Sequence, residues 1–141
     1  MSRLSAVLLL ACSAVCLAQA LEVKAGSTVY IEPMNGYEGY LAAALLKKHV
    51  PLVVVTDKAK ADYIIASSLD SREGDKPLVV VGNSMPRRRD LGETSANIRV
   101  IDAKTSAVVF SYTSSKNSAD NFQSTAEGCA KHLREFIEKK K

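Results

Sequence analysis

A short strand, a helix and a second strand follow one another near the start of the chain, and this order constrains the fold most. Residues 28–32 (TVYIE) are rich in β-branched and aromatic side chains, and residues 52–56 (LVVVT) form an unbroken apolar run. Between them, residues 36–49 carry apolar side chains at helical spacing. A crossover helix of this kind makes the two strands a parallel pair in one sheet. Because residues 52–56 show no alternation, we expect that strand to be buried on both faces.

The rest of the chain predicts mostly strands. Their order with the helices is β-α-β-β-(β)-β-β-α, which predicts a two-layer α/β (α+β) sandwich. We expect a mixed sheet of four to six strands with both long helices on one face. The later segments are a strand at 61–69, a turn at 70–77, an apolar strand at 78–82, a polar loop at 83–95 and a hairpin whose strands flank residues 103–106 (AKTS) after Asp102.

The last segment predicts an amphipathic helix. Its apolar side chains recur at helical spacing. Ser118 or Asp120 is a candidate cap, and Ser124 with Glu127 has the spacing of a capping box. Gly128 lies inside this helix at a cost of about 1 kcal/mol relative to alanine, which indicates close approach to the sheet. The predicted core-facing residues are Phe122, Ala126, Cys129, Leu133 and Phe136.

The first twenty residues have the three parts of an export signal. Arg3 supplies a short positive region, residues 4–17 are apolar, and residues 18–20 (AQA) form a small-x-small cleavage site. The apolar run is shorter than the roughly 20 residues that a transmembrane helix needs. We therefore expect residues 1–20 to be a bacterial signal peptide and residues 21–141 to be a single α/β domain without a transmembrane span, located in the periplasm or secreted.

Cys12 leaves one alternative open. Residues 9–12 (LLAC) loosely resemble a lipobox, in which Cys12 would become a lipidated N-terminus. That form would carry residues 12–20 as an apolar tether, whereas lipoprotein tethers are usually polar. With cleavage after Ala20, Cys129 is the only cysteine that remains, so the exported chain has no intramolecular disulfide.

The charge distribution argues against a nucleic-acid partner. Without Arg3 the chain has 18 basic and 15 acidic residues, and the runs at 87–89 and 139–141 hold six of the basic ones. The remaining 12 basic and 15 acidic residues make a mildly acidic body with two basic spots rather than a basic face.

Most polar residues of the stretch 30–49 (YIEPMNGYEGYLAAALLKKH) have a structural interpretation. Asn35 is a candidate N-cap, and Glu38 follows three residues later, as in a capping box. Pro51 is expected to end the helix. The last turn, where the helix dipole favours positive charge, holds Lys47, Lys48 and His49.

Glu32 is the polar residue of this stretch that helix construction does not explain. It follows the first strand, at the edge where α/β sheets carry ligands, with Tyr37 and Tyr40 as expected neighbours. A small secreted hydrolase centred on Glu32 and Tyr37 is therefore one alternative. Glycosidase chemistry needs two positioned carboxylates, however, and Glu38 is assigned to the start of the helix. We predict no catalytic residue.

The histidines and the remaining cysteine predict neither a metal site nor a nucleophile. His49 and His132 lie on separate helices, and His132 with Glu135 offers two ligands where zinc takes three or four. Cys129 lies in the apolar stripe of the last helix, so we expect it in the core. The sequence has no P-loop, no dinucleotide-binding motif and no C-x-x-C. We expect no cofactor.

The arginine run is the strongest candidate for an exposed binding site. Arg87, Arg88 and Arg89 lie in a polar loop, and guanidinium groups bind carboxylates and phosphates through two hydrogen bonds. The lysines at 139–141 are a second basic spot that anionic lipid would attract. The expected partner is an envelope protein or an anionic surface.

Two segments carry a family resemblance. Residues 51–69 (PLVVVTDKAKADYIIASSL) and 96–112 (ANIRVIDAKTSAVVFSY), followed by an amphipathic helix, resemble the small domain at the N-terminus of TolB and in the CsgG and LpoB envelope lipoproteins. The ending is also similar to that of uncharacterised secreted bacterial proteins. Ser106 departs from the pattern, since that turn usually has glycine, and the 83–95 loop is longer than in the family.

The resemblance implies a protein-binding module of the cell envelope, not an enzyme. We therefore expect an exported, non-enzymatic binding or adaptor module that uses the free face of the sheet or the 83–95 loop. The Glu32-centred hydrolase and a lipid-anchored periplasmic protein are the alternatives. The sequence does not indicate an oligomeric state.

Overall fold

A computed structural model describes residues 22–72, 92–117 and 121–139. In these ranges a mixed five-stranded sheet and two α-helices form an α+β fold, which confirms the predicted sandwich. No helix in the same ranges is long and apolar enough to cross a membrane. The strand expected at 78–82 lies outside the described residues.

The sheet has the order β2-β1-β3-β4-β5. β1 is parallel to both β2 and β3, which confirms the predicted parallel crossover, and β3, β4 and β5 are antiparallel neighbours. The elements are β1 (Thr28–Ile31), α1 (Tyr37–Lys47), β2 (Val53–Val55), a single 3₁₀ turn (Lys58–Lys60), β3 (Tyr63–Arg72), β4 (Glu93–Asp102), β5 (Val108–Lys116) and α2 (Phe122–Glu138).

β2 lies at the edge of the sheet, so the prediction of a strand buried on both faces is wrong. Val53 is 53% exposed, and Val54 and Val55 are half-buried. Val54 packs against the core, while its two neighbours in the strand point to the opposite face. An unbroken apolar run does not distinguish an edge strand from a central strand, because a strand of either kind can consist of apolar residues only.

β3 and β4 are longer than the sequence predicts. Residues 70–72 continue β3 where a turn was expected, and residues 93–95 begin β4 where a loop was expected. The pairing runs from Tyr63 opposite Asp102 to Arg72 opposite Glu93. Each strand supplies the other with hydrogen-bond partners, so polar residues with weak strand preference become part of the ladder.

Glu38 stabilises the start of α1, but the predicted cap at Asn35 is wrong. Gly36 is the N-cap residue, and both it and Asn35 have left-handed backbone angles, with φ of 93° and 54°. The Glu38 carboxylate accepts hydrogen bonds from the backbone N–H of Met34 at 2.7 Å and of Gly36 at 3.0 Å. Backbone hydrogen bonds, that of Met34 foremost, lower the pKa of Glu38.

α1 ends through a Schellman motif before Pro51 is reached. His49 is in the left-handed region with φ of 52°, and its N–H donates to the carbonyl of Leu46 at 3.1 Å. The N–H of Val50 donates to the carbonyl of Leu45 at 3.0 Å. These two bonds satisfy carbonyls of the last turn, so hydrogen bonding rather than proline terminates the helix.

The basic end of α1 binds α2. Lys47 Nζ and Lys48 Nζ lie 2.7 Å and 3.2 Å from the carboxylate of Glu127. The hydrogen bond from Lys47 is the main cause that lowers the pKa of Glu127 to about 2. The lysines therefore join the two helices.

Residues from both helices and from one face of the sheet form a single buried cluster. The predicted face of α2 is confirmed, because three of its residues are fully buried and its two phenylalanines pack against the cluster. Burial raises the pKa of the Cys129 thiol to about 11, in keeping with a core position. The largest buried side chains include Tyr37, Leu41, Ile65, Ile98, Leu133, Val29 and Val100.

The start of α2 differs from the predicted capping box. Asn121 is the N-cap residue and makes no side-chain cap hydrogen bond, while Ser124 already lies inside the helix. Glu127 is engaged by α1 instead of by a capping box. Ser118 and Asp120, the other candidate caps, lie outside the described residues.

The β4–β5 hairpin turns as predicted. The Asp102 carboxylate accepts hydrogen bonds from the N–H of Lys104 at 2.9 Å and from the N–H and hydroxyl of Thr105 at 2.8 and 3.0 Å. Ser106 has a left-handed φ of 59°, at the position where the resembling family has glycine. The turn thus takes a left-handed angle at a serine, although this region favours glycine.

Gly128 lies against β5, which confirms the expected close approach to the sheet. A Cβ atom on Gly128 would lie 2.6 Å from the hydroxyl oxygen of Ser114 and 3.4 Å from its Cβ. Ser114 is itself buried. The contact therefore has no room for a side chain at position 128. Close packing against Ser114 outweighs the lower helix propensity of glycine.

We predict that Gly128→Ala lowers the free energy of unfolding by about 1–2 kcal/mol, because overpacking costs more than the helix propensity gained. Urea unfolding of the mature chain measures the change. In a Ser114→Ala background the same substitution is expected to be neutral or stabilising, since the clashing hydroxyl is gone. An equal loss in both backgrounds would contradict the contact.

Candidate functional site

The sheet face turned away from the helices is the candidate binding surface. Val29, Ile65 and Val100 are fully buried and point to the helices. Because successive side chains of a strand point to opposite faces, the neighbouring Tyr30 and Ile64 point the other way. Both are half-buried.

Strand register aligns five apolar side chains across this face. Val55 pairs with Tyr30, Tyr30 with Ile64, Ile64 with Ile101, and Ile101 with Val108. We call these five residues the apolar row. In the described ranges both α-helices pack on the other side of the sheet. The row crosses all five strands and ends at Val108, which is 47% exposed.

The same face becomes polar along β4 and β5. Asn97 Nδ2 donates to the Thr113 hydroxyl at 2.8 Å, and the Ser115 hydroxyl donates to that of Ser95 at 3.1 Å. Arg99 is exposed nearby. The face therefore offers an apolar row bordered by a hydroxyl-rich region.

Glu32 forms a surface ion pair. Its carboxylate lies 2.8 Å from Lys58 Nζ, and the two side chains are 38% and 55% exposed. The hydrogen bond to Glu32 is the main cause that raises the pKa of Lys58. Ion pairs this exposed contribute little to stability.

Tyr37 belongs to the core between the helices, and the structure does not bring it together with Glu32. Tyr37 is 2% exposed, and its hydroxyl donates to Thr125 Oγ1 at 3.3 Å. Burial is the main cause that raises its pKa. Ile31 packs against the core, so the next residue, Glu32, points to the opposite face. This arrangement gives the hydrolase alternative no support.

A cleft of about 630 Å³ opens beside the β4–β5 turn, and its lining includes Asp62, Asp102 and Lys104. The Asp62 carboxylate accepts hydrogen bonds from the N–H and hydroxyl of Thr28 at 3.0 and 2.9 Å. Hydrogen bonds from Thr28 and Thr105, respectively, are the main causes that lower the pKa of the two aspartates. The Asp62 carboxylate therefore holds the start of β1, and the Asp102 carboxylate holds the β4–β5 turn.

The histidines are placed by structural contacts. His132 stacks on Tyr112 with ring centroids 4.1 Å apart, and its Nδ1 lies 3.3 Å from the Glu135 carboxylate. His49 is the exposed residue of the Schellman motif. Within 22–72, 92–117 and 121–139 no three His, Cys, Asp or Glu side chains are grouped to hold a metal ion.

Arg87, Arg88 and Arg89 lie outside the described residues, as do the last two lysines. Their role in binding stays a prediction. The apolar row, by contrast, is a feature that the sequence analysis missed. The sequence carries no signal for the row, because residues 52–56 show no alternation and the row depends on the register between strands.

Several solved structures are similar to this chain, and the PelC structure among them shares its fold. A PelC dodecamer from Paraburkholderia phytofirmans matches with a TM-score of 0.54 and 13% identity over 80% of this chain and 91% of that one. Protein XCC0632 from Xanthomonas campestris reaches 0.47 at 13% identity over 84% and 87%. Lipoprotein GNA1162 from Neisseria meningitidis reaches 0.44 at 8% identity over 81% and 96%.

No family model and no curated protein matches the chain. At this identity the likeness to PelC concerns the fold alone. The resemblance to TolB, CsgG and LpoB stays a prediction, because none of the three structures just named is one of these proteins.

We predict that Tyr37→Phe changes the free energy of unfolding by less than about 1 kcal/mol, whereas Tyr37→Ala lowers it by about 3–5 kcal/mol. The hydroxyl of Thr125 keeps a partner without Tyr37, since it also donates to the carbonyl of Phe122 at 2.8 Å. Urea unfolding measures both variants. Loss of a hydrolytic activity in a natively folded Tyr37→Phe protein would contradict the structural role.

Proposed function

We propose that this protein is an exported, non-enzymatic binding module of the bacterial cell envelope, and that the apolar row is its contact surface. One observation carries the proposal: strand register lines up apolar side chains across a sheet face that neither described α-helix covers. Contiguous apolar surface of this kind marks interaction sites in soluble proteins.

The composition of the face supports a protein partner. Interfaces combine an apolar centre with a polar border, and tyrosine is enriched among their dominant contacts. Tyr30 lies within the row, and the Asn97–Thr113 and Ser95–Ser115 pairs lie along its polar side. An envelope protein with an apolar surface of its own would meet both parts.

The reactive side chains support a non-enzymatic role. Glu32 is paired with Lys58 at the surface, while Tyr37 and Cys129 are buried in the core. Each side chain that the sequence offered as a catalytic candidate thus has a structural partner or lies away from solvent.

Export is supported by the pattern of residues 1–20. We predict that the mature chain, isolated from its native envelope, begins at Leu21. Intact-mass spectrometry distinguishes this form from one that begins at an acylated Cys12. Cys12→Ser should leave processing and location unchanged, and loss of membrane attachment in that variant would favour the lipid-anchored alternative.

We predict that Ile64→Lys lowers capture of an envelope partner by about tenfold or more, because a charge placed in the row must be desolvated on binding. The mature chain serves as bait in cross-linked envelope extracts, and the partner is then identified and titrated in purified form. Leu46→Lys is the matched control, since Leu46 is an exposed apolar residue of α1, which packs on the other side of the sheet.

Equal affinity of the wild-type and Ile64→Lys chains would contradict this use of the row. Combined replacement of Arg87, Arg88 and Arg89 by alanine separates the second expected contact. If capture is lost in that variant and kept in Ile64→Lys, the contact lies in the arginine run and not in the apolar row.

A further inference from the structure

The two edges of the sheet differ in how they are protected. β5 is flanked by a bulge at Val100/Ile101 and carries exposed Ser111, Thr113 and Ser115. β2 is short, with three residues, but residues 52–56 include no charge, proline or glycine, and Val53 is 53% exposed. Natural proteins blunt edges with short strands, charges, proline or bulges, and only the first of these protects β2, so its valine edge is suited to pairing with a partner strand of the same short length.

The backbone of β2 presents one fully available residue to a partner. The N–H of Val53 donates to the carbonyl of Ser27 at 2.9 Å, so the backbone groups of Val53 and Val55 face β1. Because these directions alternate along a strand, the N–H and C=O of Val54 point outward. Among the strands of the described ranges, none lies on that side of β2.

We propose that two copies of this chain associate through β2, paired antiparallel about a two-fold axis at Val54. In that arrangement Val54 lies opposite itself, and each N–H donates to the carbonyl of the other copy. Val53 of one copy then lies opposite Val55 of the other. One surface patch on each copy is sufficient, which is the requirement for a closed dimer.

Self-complementarity favours a second copy over a different protein as the occupant. Any antiparallel two-fold pairing of the Val-Val-Val strand places valine against valine, and such β-branched cross-strand pairs are favourable. The edge presents no charged side chain for a heterologous partner to select. A second β2 satisfies the outward groups of Val54 and covers the exposed side chain of Val53.

The dimer would join two five-stranded sheets into one continuous sheet. Val55, the end of the apolar row, would meet Val53 of the other copy on the same face. This inference is independent of the proposed function, because it concerns the edge of the sheet and holds whether or not the row binds a partner.

The test is the oligomeric state of the mature chain, measured by sedimentation equilibrium at about 1–100 µM, which detects a dimer with a Kd in the micromolar range. The wild-type chain is expected to form a dimer. Val53→Lys should raise the dimer Kd by at least about tenfold, since lysine blunts an edge. Val108→Lys is the matched control, because Val108 is similarly exposed (47%) on the opposite edge strand.

Val54→Pro provides a second variant that acts on the backbone. Proline is tolerated on an edge strand where the N–H faces solvent, and it removes the outward donor at the two-fold axis. A folded Val54→Pro chain, verified by circular dichroism and Tm, should be monomeric. If Val54→Pro does not fold, the proposal is tested by the dimer Kd of Val53→Lys compared with that of Val108→Lys.

Three results would overturn the proposal. One is a wild-type chain that is monomeric across the whole concentration range, as expected if the edge binds only a different protein. Another is dissociation by Val108→Lys equal to that by Val53→Lys. The last is a folded Val54→Pro chain that remains dimeric with unchanged Kd.

Discussion

The parallel pairing of β1 with strands on both of its sides is the constraint on which the rest of the structure depends. Its register with β3 is fixed where the two strands begin: the Asp62 carboxylate accepts from the N–H and hydroxyl of Thr28, and the Asp62 N–H donates to the Thr28 carbonyl at 3.0 Å. Once Thr28 is held, alternation sends Val29 to the helices and Tyr30 to the free face. A slip by one residue would exchange the two faces.

The crossover through α1 determines which face is covered. α1 connects β1 to β2, and it shares a buried cluster with α2, while Lys47 and Lys48 pair with Glu127 at the surface. Both helices contribute buried residues to one cluster with one face of the sheet. In the described residues, the buried layer therefore lies between the helices and one face of the sheet, and neither helix covers the other face.

Patterns within one segment predicted much of this fold. The crossover, the Asp102 turn and the stripe of α2 depend on local periodicity or turn chemistry, and each appears in the structure. Gly128 was interpretable because a glycine inside a helix needs a reason, and Ser114 supplies it. These features are readable since their causes lie within a few residues or in one side chain.

Features that depend on pairing between distant segments were missed. Nothing in LVVVT indicates that its strand has one neighbour, because the second side is decided by where β3 inserts. The apolar row has the same origin: Tyr30 and Ile64 are 34 positions apart and meet only through the β1–β3 register. The predicted Asn35 cap was wrong because Asn35 has a left-handed φ in the structure. The Glu38 carboxylate binds the backbone N–H groups at the start of the helix instead.

The position of β2 accounts for both surfaces on which the proposals rest. Placed at the edge, it leaves the backbone of Val54 turned outward, and it brings Val55 into the end of the row. A central β2 would have used the outward backbone groups of Val54 in pairing with another strand. The same insertion of β1 between β2 and β3 thus creates an edge suited to a second copy and a face suited to a partner. Each surface can be altered by a substitution that leaves the core residues unchanged, so their contributions are separable.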